Sequence, residues 1–402
     1  MGRPLFSRRR VHWALAIATV VAWACDEGPE PAERVDEAAA LPVLRSIAAE
    51  VLAPQTAAFT ERAEALALAA DAYAAAAASD EDATEARDAL AAAYADAMLA
   101  WQRLEVMQLG PAAGSEGVGG AFLRDEVYSW PSVNPCRIDQ ALVAESYAAG
   151  DFFEAQLVNA YGFDALEYLL FHEGTDNACA PQIDINANGS WAALDEAALR
   201  ARRGAYAAVV AAGIAAHART LAEAWAPGGT WNAALSEPSG GPYGDVQTAV
   251  DEVLRAMFYV DKVLKDAKLA RPAGIRDCSA EVCLDAVELP RAALSTAAVV
   301  ANLEGFRLLY HGGADPQTHA GFDDMLREAG EDALADEISA DVEAAIVAVQ
   351  ALPPTFTEAL TADPSALDAA HAAVVELTDD LKGDFPTVLR LNVPSEAAGD
   401  AD

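Results

Sequence analysis

Asp164 and Glu167 stand three residues apart in the stretch Tyr161 to Phe171, which reads Tyr-Gly-Phe-Asp-Ala-Leu-Glu-Tyr-Leu-Leu-Phe. At a helical advance of about 100° per residue, Phe163, Leu166, Leu169 and Leu170 share one side. Glu167 then lies roughly 40° from Phe163, and Asp164 about 60° beyond Glu167. The pattern predicts a core-facing helix with both carboxylates on the flank of its buried face. An acid placed there must be paired, protonated or bound to a metal. The i, i+3 spacing puts both over neighbouring turns, where one cation or proton serves the two. The plainer alternative is that both acids face solvent or an Arg of the next helix.

Other residues have the chemistry to join them. Glu105 shares a helix face with Trp101 at i, i+4 and could reach the pair across a bundle interior; otherwise Trp101 anchors the core and Glu105 pairs with Arg103. His172 sits just past the end of the Asp164/Glu167 helix, within reach of Glu167 by imidazole. The run His172-Glu173-Gly174-Thr175-Asp176 opens like a zinc-protease His-Glu-x-x-His but ends in Asp, so the second His is missing. The Gly-rich stretch Gly110 to Gly120 has neither a Lys-Ser/Thr ending nor dinucleotide spacing, which excludes the usual phosphate loops.

Several phrases together resemble the imelysins, bacterial envelope proteins marked by Gly-x-His-x-x-Glu on a helix. The matching stretch is Gly162-Phe163-Asp164-Ala165-Leu166-Glu167, followed by Tyr-Leu-Leu-Phe, with Asp164 where the motif has His. Further similar phrases are Ala100 to Pro111, Tyr128-Ser129-Trp130-Pro131, Arg202-Arg203 with Tyr206, and Asn302 to Gly313. Taken in order they span nearly the whole mature chain. The resemblance implies two helical bundles with the motif near their interface, and a connection with iron acquisition. It also implies a metallopeptidase reading, the activity for which the family is named, which the absent motif His leaves without its ligand. By the same resemblance Trp130 walls the site or else plugs a bundle end, Arg202 and Arg203 neutralise the carboxylates, bind an anionic ligand or simply pair with surface acids, and Glu304 and His311 are candidates to contribute to an interdomain cleft. Asp is a harder, anionic donor than His, so a metal held by Asp164, Glu167, Glu105 and His172 is expected to be iron ahead of zinc or calcium. A tethered scaffold that holds a peptide, a small ligand or another envelope protein is the reading without metal.

The 402 residues carry 63 acids against 26 bases. Arg3, Arg8, Arg9 and Arg10 precede the apolar run Trp13 to Ala24, which ends at Cys25. This is a secretory signal in form, too short to span a bilayer. Ala22-Trp23-Ala24-Cys25 resembles a lipoprotein box, so residues 1–24 are expected to be removed and Cys25 acylated, with 25–40 as a flexible tether. Removal takes four Arg and no acids, leaving 63 acids against 22 bases and a net charge of −41. Such a charge excludes nucleic acid and an anionic membrane surface as partners; the membrane is reached only through the lipid. Four cysteines remain, and an even number in an exported chain suggests disulfides. Each is expected to pair with its neighbour, Cys136 with Cys179 and Cys278 with Cys283.

Positioning these groups falls to helices. The chain is rich in Ala, Leu, Glu and Asp, which favours an all-helical fold. Helical segments are expected over about 44–78, 84–109, 151–171, 192–226, 245–269, 292–311, 322–352 and 365–382. The Gly- and Pro-bearing stretch 225–243 is the best linker. Four helices on each side of it predict two bundles, 41–235 and 236–393, followed by a disordered tail, 394–402. Gly305 inside a helix costs about 1 kcal/mol relative to Ala and invites close packing as its reason.

Overall fold

In a computed structural model describing residues 34–79 and 82–394, helices account for nearly all regular structure. The named helices are α1 (Glu37–Ser46), α2 (Ala53–Ala77), α3 (Thr84–Glu105), α4 (Gly162–Phe171), α5 (Glu196–Trp225), α6 (Val246–Met257), α7 (Ser295–Tyr310), α8 (Asp332–Gln350) and α9 (Asp368–Lys382). No strand occurs among the described residues, as the composition predicted. Cys25, the signal-like segment, the first residues of the tether and the tail beyond Pro394 lie outside the described residues.

Capping side chains start several helices where the sequence offers them. Asp36, Asp195 and Asp245 accept N–H bonds from Ala38, Ala198 and Thr248 at 2.8–2.9 Å, each satisfying a first-turn donor that has no helical partner. The tether ends earlier than expected, because Val35 is buried, donates its N–H to Gln247 at 2.8 Å, and hands directly into α1. α1 continues into α2 through a π-helical turn, Ile47–Leu52, and Pro54 falls in the first turn of α2.

α2 packs along α5 and α3, and α4 lies against α5. In the other half, α7, α8, α9 and the π-helical segment Val260–Ala270 pack on one another. α3 and α7 form the seam between these groups, and the hydrophobic core runs through both without a break. At the seam, a Cβ on Gly305 of α7 would stand 2.2 Å from the carbonyl oxygen of Arg103 on α3. The glycine is therefore what lets the two backbones touch.

Three expected segments are corrected. The helix placed at 151–171 exists only from Gly162, preceded by short turns at Phe152–Ala155 and Val158–Ala160. Gly162 has φ +78°, and a Cβ there would meet the Val127 carbonyl at 2.8 Å, so the chain bends sharply before entering α4. The 322–352 helix is broken at Gly330, φ +88°, into Phe322–Glu328 and α8. The linker region contains the helix Thr230–Ser236, which packs on α1 and α5. Both disulfides form as paired from sequence, Cys136–Cys179 and Cys278–Cys283.

Gly305→Ala is expected to lower unfolding free energy by about 1–3 kcal/mol through overpacking, measured by urea titration. Gly150→Ala, with nothing within 4 Å of the added Cβ, should stay within about 0.5 kcal/mol of the parent.

Candidate functional site

The helix that carries the two acids is buried along almost its whole length, Gly162 to Leu170. Asp164 and Glu167 are each 5% exposed. The Oδ2 of Asp164 accepts from the Ser129 hydroxyl at 3.2 Å. The Oε1 of Glu167 accepts the consecutive backbone N–H groups of Arg291 and Ala292, both at 2.9 Å. Burial pushes the Asp164 carboxyl well above the usual range, and the Glu167 charge pushes it further, with Arg124 and the Ser129 bond opposing. Burial likewise raises Glu167, against the two amides and Arg291. Arg124 and Arg291 act on the pair through space.

A second set of buried charges lies beside it. The Lys268 ammonium, wholly buried, lies 2.7 Å from Gln102 Oε1, 2.8 Å from Glu288 Oε1, 2.9 Å from Asn302 Oδ1 and 3.4 Å from Glu105 Oε2. It also stands over the rings of Trp130 and Tyr259, 5.7 and 5.5 Å from their centroids. Glu105 takes a two-nitrogen contact from Arg124 at 3.0 and 2.7 Å and the Tyr259 hydroxyl at 2.8 Å. Burial alone would raise Glu105, but Lys268 and Arg124 outweigh it and hold the carboxyl below the usual range. Glu288 Oε1 also receives Gln102 at 3.0 Å and Tyr128 at 2.8 Å, while its Oε2 finds no hydrogen-bond partner among the described residues.

The two sets differ in charge. Glu105 and Glu288 are matched by Lys268 and Arg124, so that cluster closes on itself. Among the described residues Asp164 and Glu167 have no buried base in direct contact, and Glu288 adds to the repulsion on both. The pair is the part of the core where a proton or a cation is wanted. Among the described residues no three His, Cys, Asp or Glu side chains stand ready as a chelate. The pair offers hard oxygen donors, and two carboxylates with water completing the shell are a known way of holding a small hard cation.

The remaining predicted residues fall elsewhere. His172 stacks on Tyr168 at 4.8 Å and points its Nε2 at Asp176, 3.3 Å away. Glu105 faces Arg124 and Lys268, as described. Trp101 packs on Phe59 at 5.2 Å as a core anchor. Arg202 binds the Leu142 and Val143 carbonyls and Glu145 at the end of the helix Pro135–Ala144, and Arg203 the His172 and Gly174 carbonyls in the loop after α4, so neither touches the carboxylates. Glu304 pairs with Arg103 across the α3–α7 seam at 2.5 Å. His311 faces Asp323, Nδ1 to Oδ2 3.1 Å. Trp130 does wall an opening, a cleft of about 330 Å³ lined also by Gln108, Phe122, Arg124 and Val263.

Sequence reasoning missed Lys268, Arg124, Glu288, Tyr128 and Tyr259. One signal was present: of four Lys in the whole chain, three fall at 262, 265 and 268. In an acidic chain so poor in lysine, that spacing marks a helix face with fixed partners.

A family model described as imelysin matches residues 52–382. No curated protein matches the sequence. Among solved structures, the chain is similar to an imelysin-like protein from Psychrobacter arcticum 273-4, at 16% identity and a TM-score of 0.66, covering 90% of this chain and 99% of that one. It is also similar to a protein from Parabacteroides distasonis ATCC 8503 named as an iron-regulated protein A precursor. There the identity is 17% and the TM-score 0.67, covering 89% of this chain and 96% of that one. At these identities the likeness establishes the fold.

Two predictions follow from the geometry. Lys268→Met strands Glu105 and Glu288 with one cation fewer and should cost about 3–5 kcal/mol of stability in urea unfolding. The acid pair gives the opposite sign. A carboxyl whose folded pKa is raised contributes stability in full below its unfolded value of about 4, and loses it as pH rises through the folded value. Asp164→Asn should therefore melt near the parent at pH 4 and above it at pH 7; parallel melting curves would contradict the raised pKa.

Proposed function

The chain belongs to the imelysin family, and from that membership we propose that it is an exported cell-envelope protein that binds a hard metal cation, iron by preference, in iron acquisition. Asp164 and Glu167 are the ligands, and the metal is cargo. The observation that carries this reading is the uncompensated buried pair: two carboxylates with raised pKa values and no direct ion pair, beside a cluster that is already neutral. Two carboxylates suit iron or manganese with bound water, whereas zinc favours His and Cys and calcium asks for six to eight oxygens. Glu105 and His172 are left out of the ligand set because charged groups already face them, Arg124 and Lys268 on Glu105 and Asp176 on His172, whereas Asp164 and Glu167 are met by a neutral hydroxyl and neutral amides. The name of the Parabacteroides neighbour agrees with an iron-linked role. Acylation at Cys25 would hold the protein to its membrane.

A second reading rests on the 330 Å³ cleft walled by Trp130 and Phe122. In it the protein holds a small organic ligand or a peptide, and the buried charges serve only to brace the cleft.

The test is elemental analysis of the protein from Asp26 onward after exposure to iron, manganese, zinc and calcium, beside an Asp164→Ala/Glu167→Ala double variant. One equivalent of metal in the parent, lost in the variant, is expected. Because metal and protons compete for the raised carboxylates, affinity should tighten as pH rises from about 5 to 8. No metal in either protein sinks this reading and leaves the cleft.

A further inference from the structure

The loop between Glu288 and Leu294 is held in an unusual way. Leu289 and Ala293 have φ of +50° and +55°, left-handed values that side-chain-bearing residues rarely adopt. Such conformations persist where the surroundings hold them, and they gather at clamps and switches. Both ends are anchored: Glu288 by Lys268, Tyr128 and Gln102, and Ser295 by its hydroxyl on the Glu288 carbonyl at 2.6 Å. The middle has less. The Leu294 N–H reaches the Leu289 carbonyl at 3.4 Å, and the Arg291 guanidinium stands 5.3 Å from the Tyr168 ring centroid. The strong contact is Glu167, whose single oxygen Oε1 takes the N–H groups of Arg291 and Ala292. Arg291 and Ala293 are exposed.

We infer that Glu167 is a latch for this loop, and that when its carboxylate turns to a cation the loop is released. This rests on the cation reading above for its trigger, but the latch itself does not. The loop also forms one wall of a groove of about 540 Å³, with Ala293 and Leu294 facing Leu99, Val300, Leu352 and Pro354. Release of the loop therefore reshapes a surface on the side of the molecule where α3 meets α7. Metal capture in the core becomes readable from outside because a cation held by both Glu167 oxygens takes a lone pair of Oε1 that an amide of Arg291 or Ala292 now uses.

The experiment compares amide hydrogen exchange over 288–296, and trypsin cleavage after Arg291, in the parent and three variants. Without metal, Glu167→Ala should speed loop exchange by about tenfold or more, the scale of losing a charge-assisted pair of hydrogen bonds. Glu167→Gln keeps an oxygen for the amides and should stay near the parent. Asp164→Ala, which does not touch the loop, should also stay latched. With iron or manganese, the parent should exchange and cleave faster, and Asp164→Ala should not. An unchanged loop in metal-free Glu167→Ala overturns the latch. Stoichiometric metal in the parent with no change in the loop overturns the coupling while the cation reading stands. Failure to bind any metal defeats the cation reading and the coupling together, and the metal-free Glu167→Ala result tells that failure from failure of the latch.

Discussion

Charges taken out of water must be matched inside, and this molecule's core is arranged around that requirement. Lys268, Arg124, Glu105 and Glu288 meet where α3, the Val260–Ala270 segment and the loop before α7 converge. Each is too costly to bury alone. Together they fix the relative placement of these elements, because moving any of them by a fraction of a helical turn would strand a charge. The amides of Gln102 and Asn302 fill the positions around Lys268 that carboxylates leave open, and Asn302 also donates to the Gln102 carbonyl at 2.6 Å. Polar satisfaction and helix packing are here one problem with one solution.

The backbone shows what that solution requires. Lys268 comes from a segment wound as a π-helix over eleven residues, Val260–Ala270, in which Asp261, Lys265 and Lys268 are all buried. π-helical turns are rare and frequently sit at functional positions. Gly305 lets α7 come close enough to α3 for Asn302 to reach Gln102. Gly162 turns the chain at the start of α4 so that Asp164 and Glu167 enter the core beside the neutral cluster and do not face solvent. The outcome is two adjacent polar regions, one complete in charge and one with two acids in excess, and the contrast gives the second its chemical character.

The architecture was readable in outline from local pattern. Composition and period identified an all-helical chain, and the cysteines paired with their neighbours. The apolar stripe around Phe163, Leu166 and Leu170 placed Asp164 and Glu167 on the flank of a buried face; the structure buries the helix on every side, and both acids lie within the core. The boundaries that failed did so for tertiary reasons. The chain before Gly162 breaks into short turns because it must bend past the Val127 carbonyl, and the tether shortens because Val35 finds Gln247 more than two hundred residues away.

What the sequence determined by itself is therefore the all-helical class with most of its long helices, a buried face on the Asp164/Glu167 helix and the family to which the whole belongs. The helices follow from periodicity, which is a property of neighbouring residues, and the family from the ordered phrases that resemble it. Which charges meet was decided only by the tertiary structure. Glu105 and Lys268 are 163 residues apart, and Gln102 and Glu288 are 186 apart. No local pattern tells Glu105 that its partners are Lys268 and Arg124, nor tells Asp164 and Glu167 that, among the described residues, they meet only neutral donors. Electrostatic pairing depends on distance in space and on the exclusion of water, and both are set by packing across the chain.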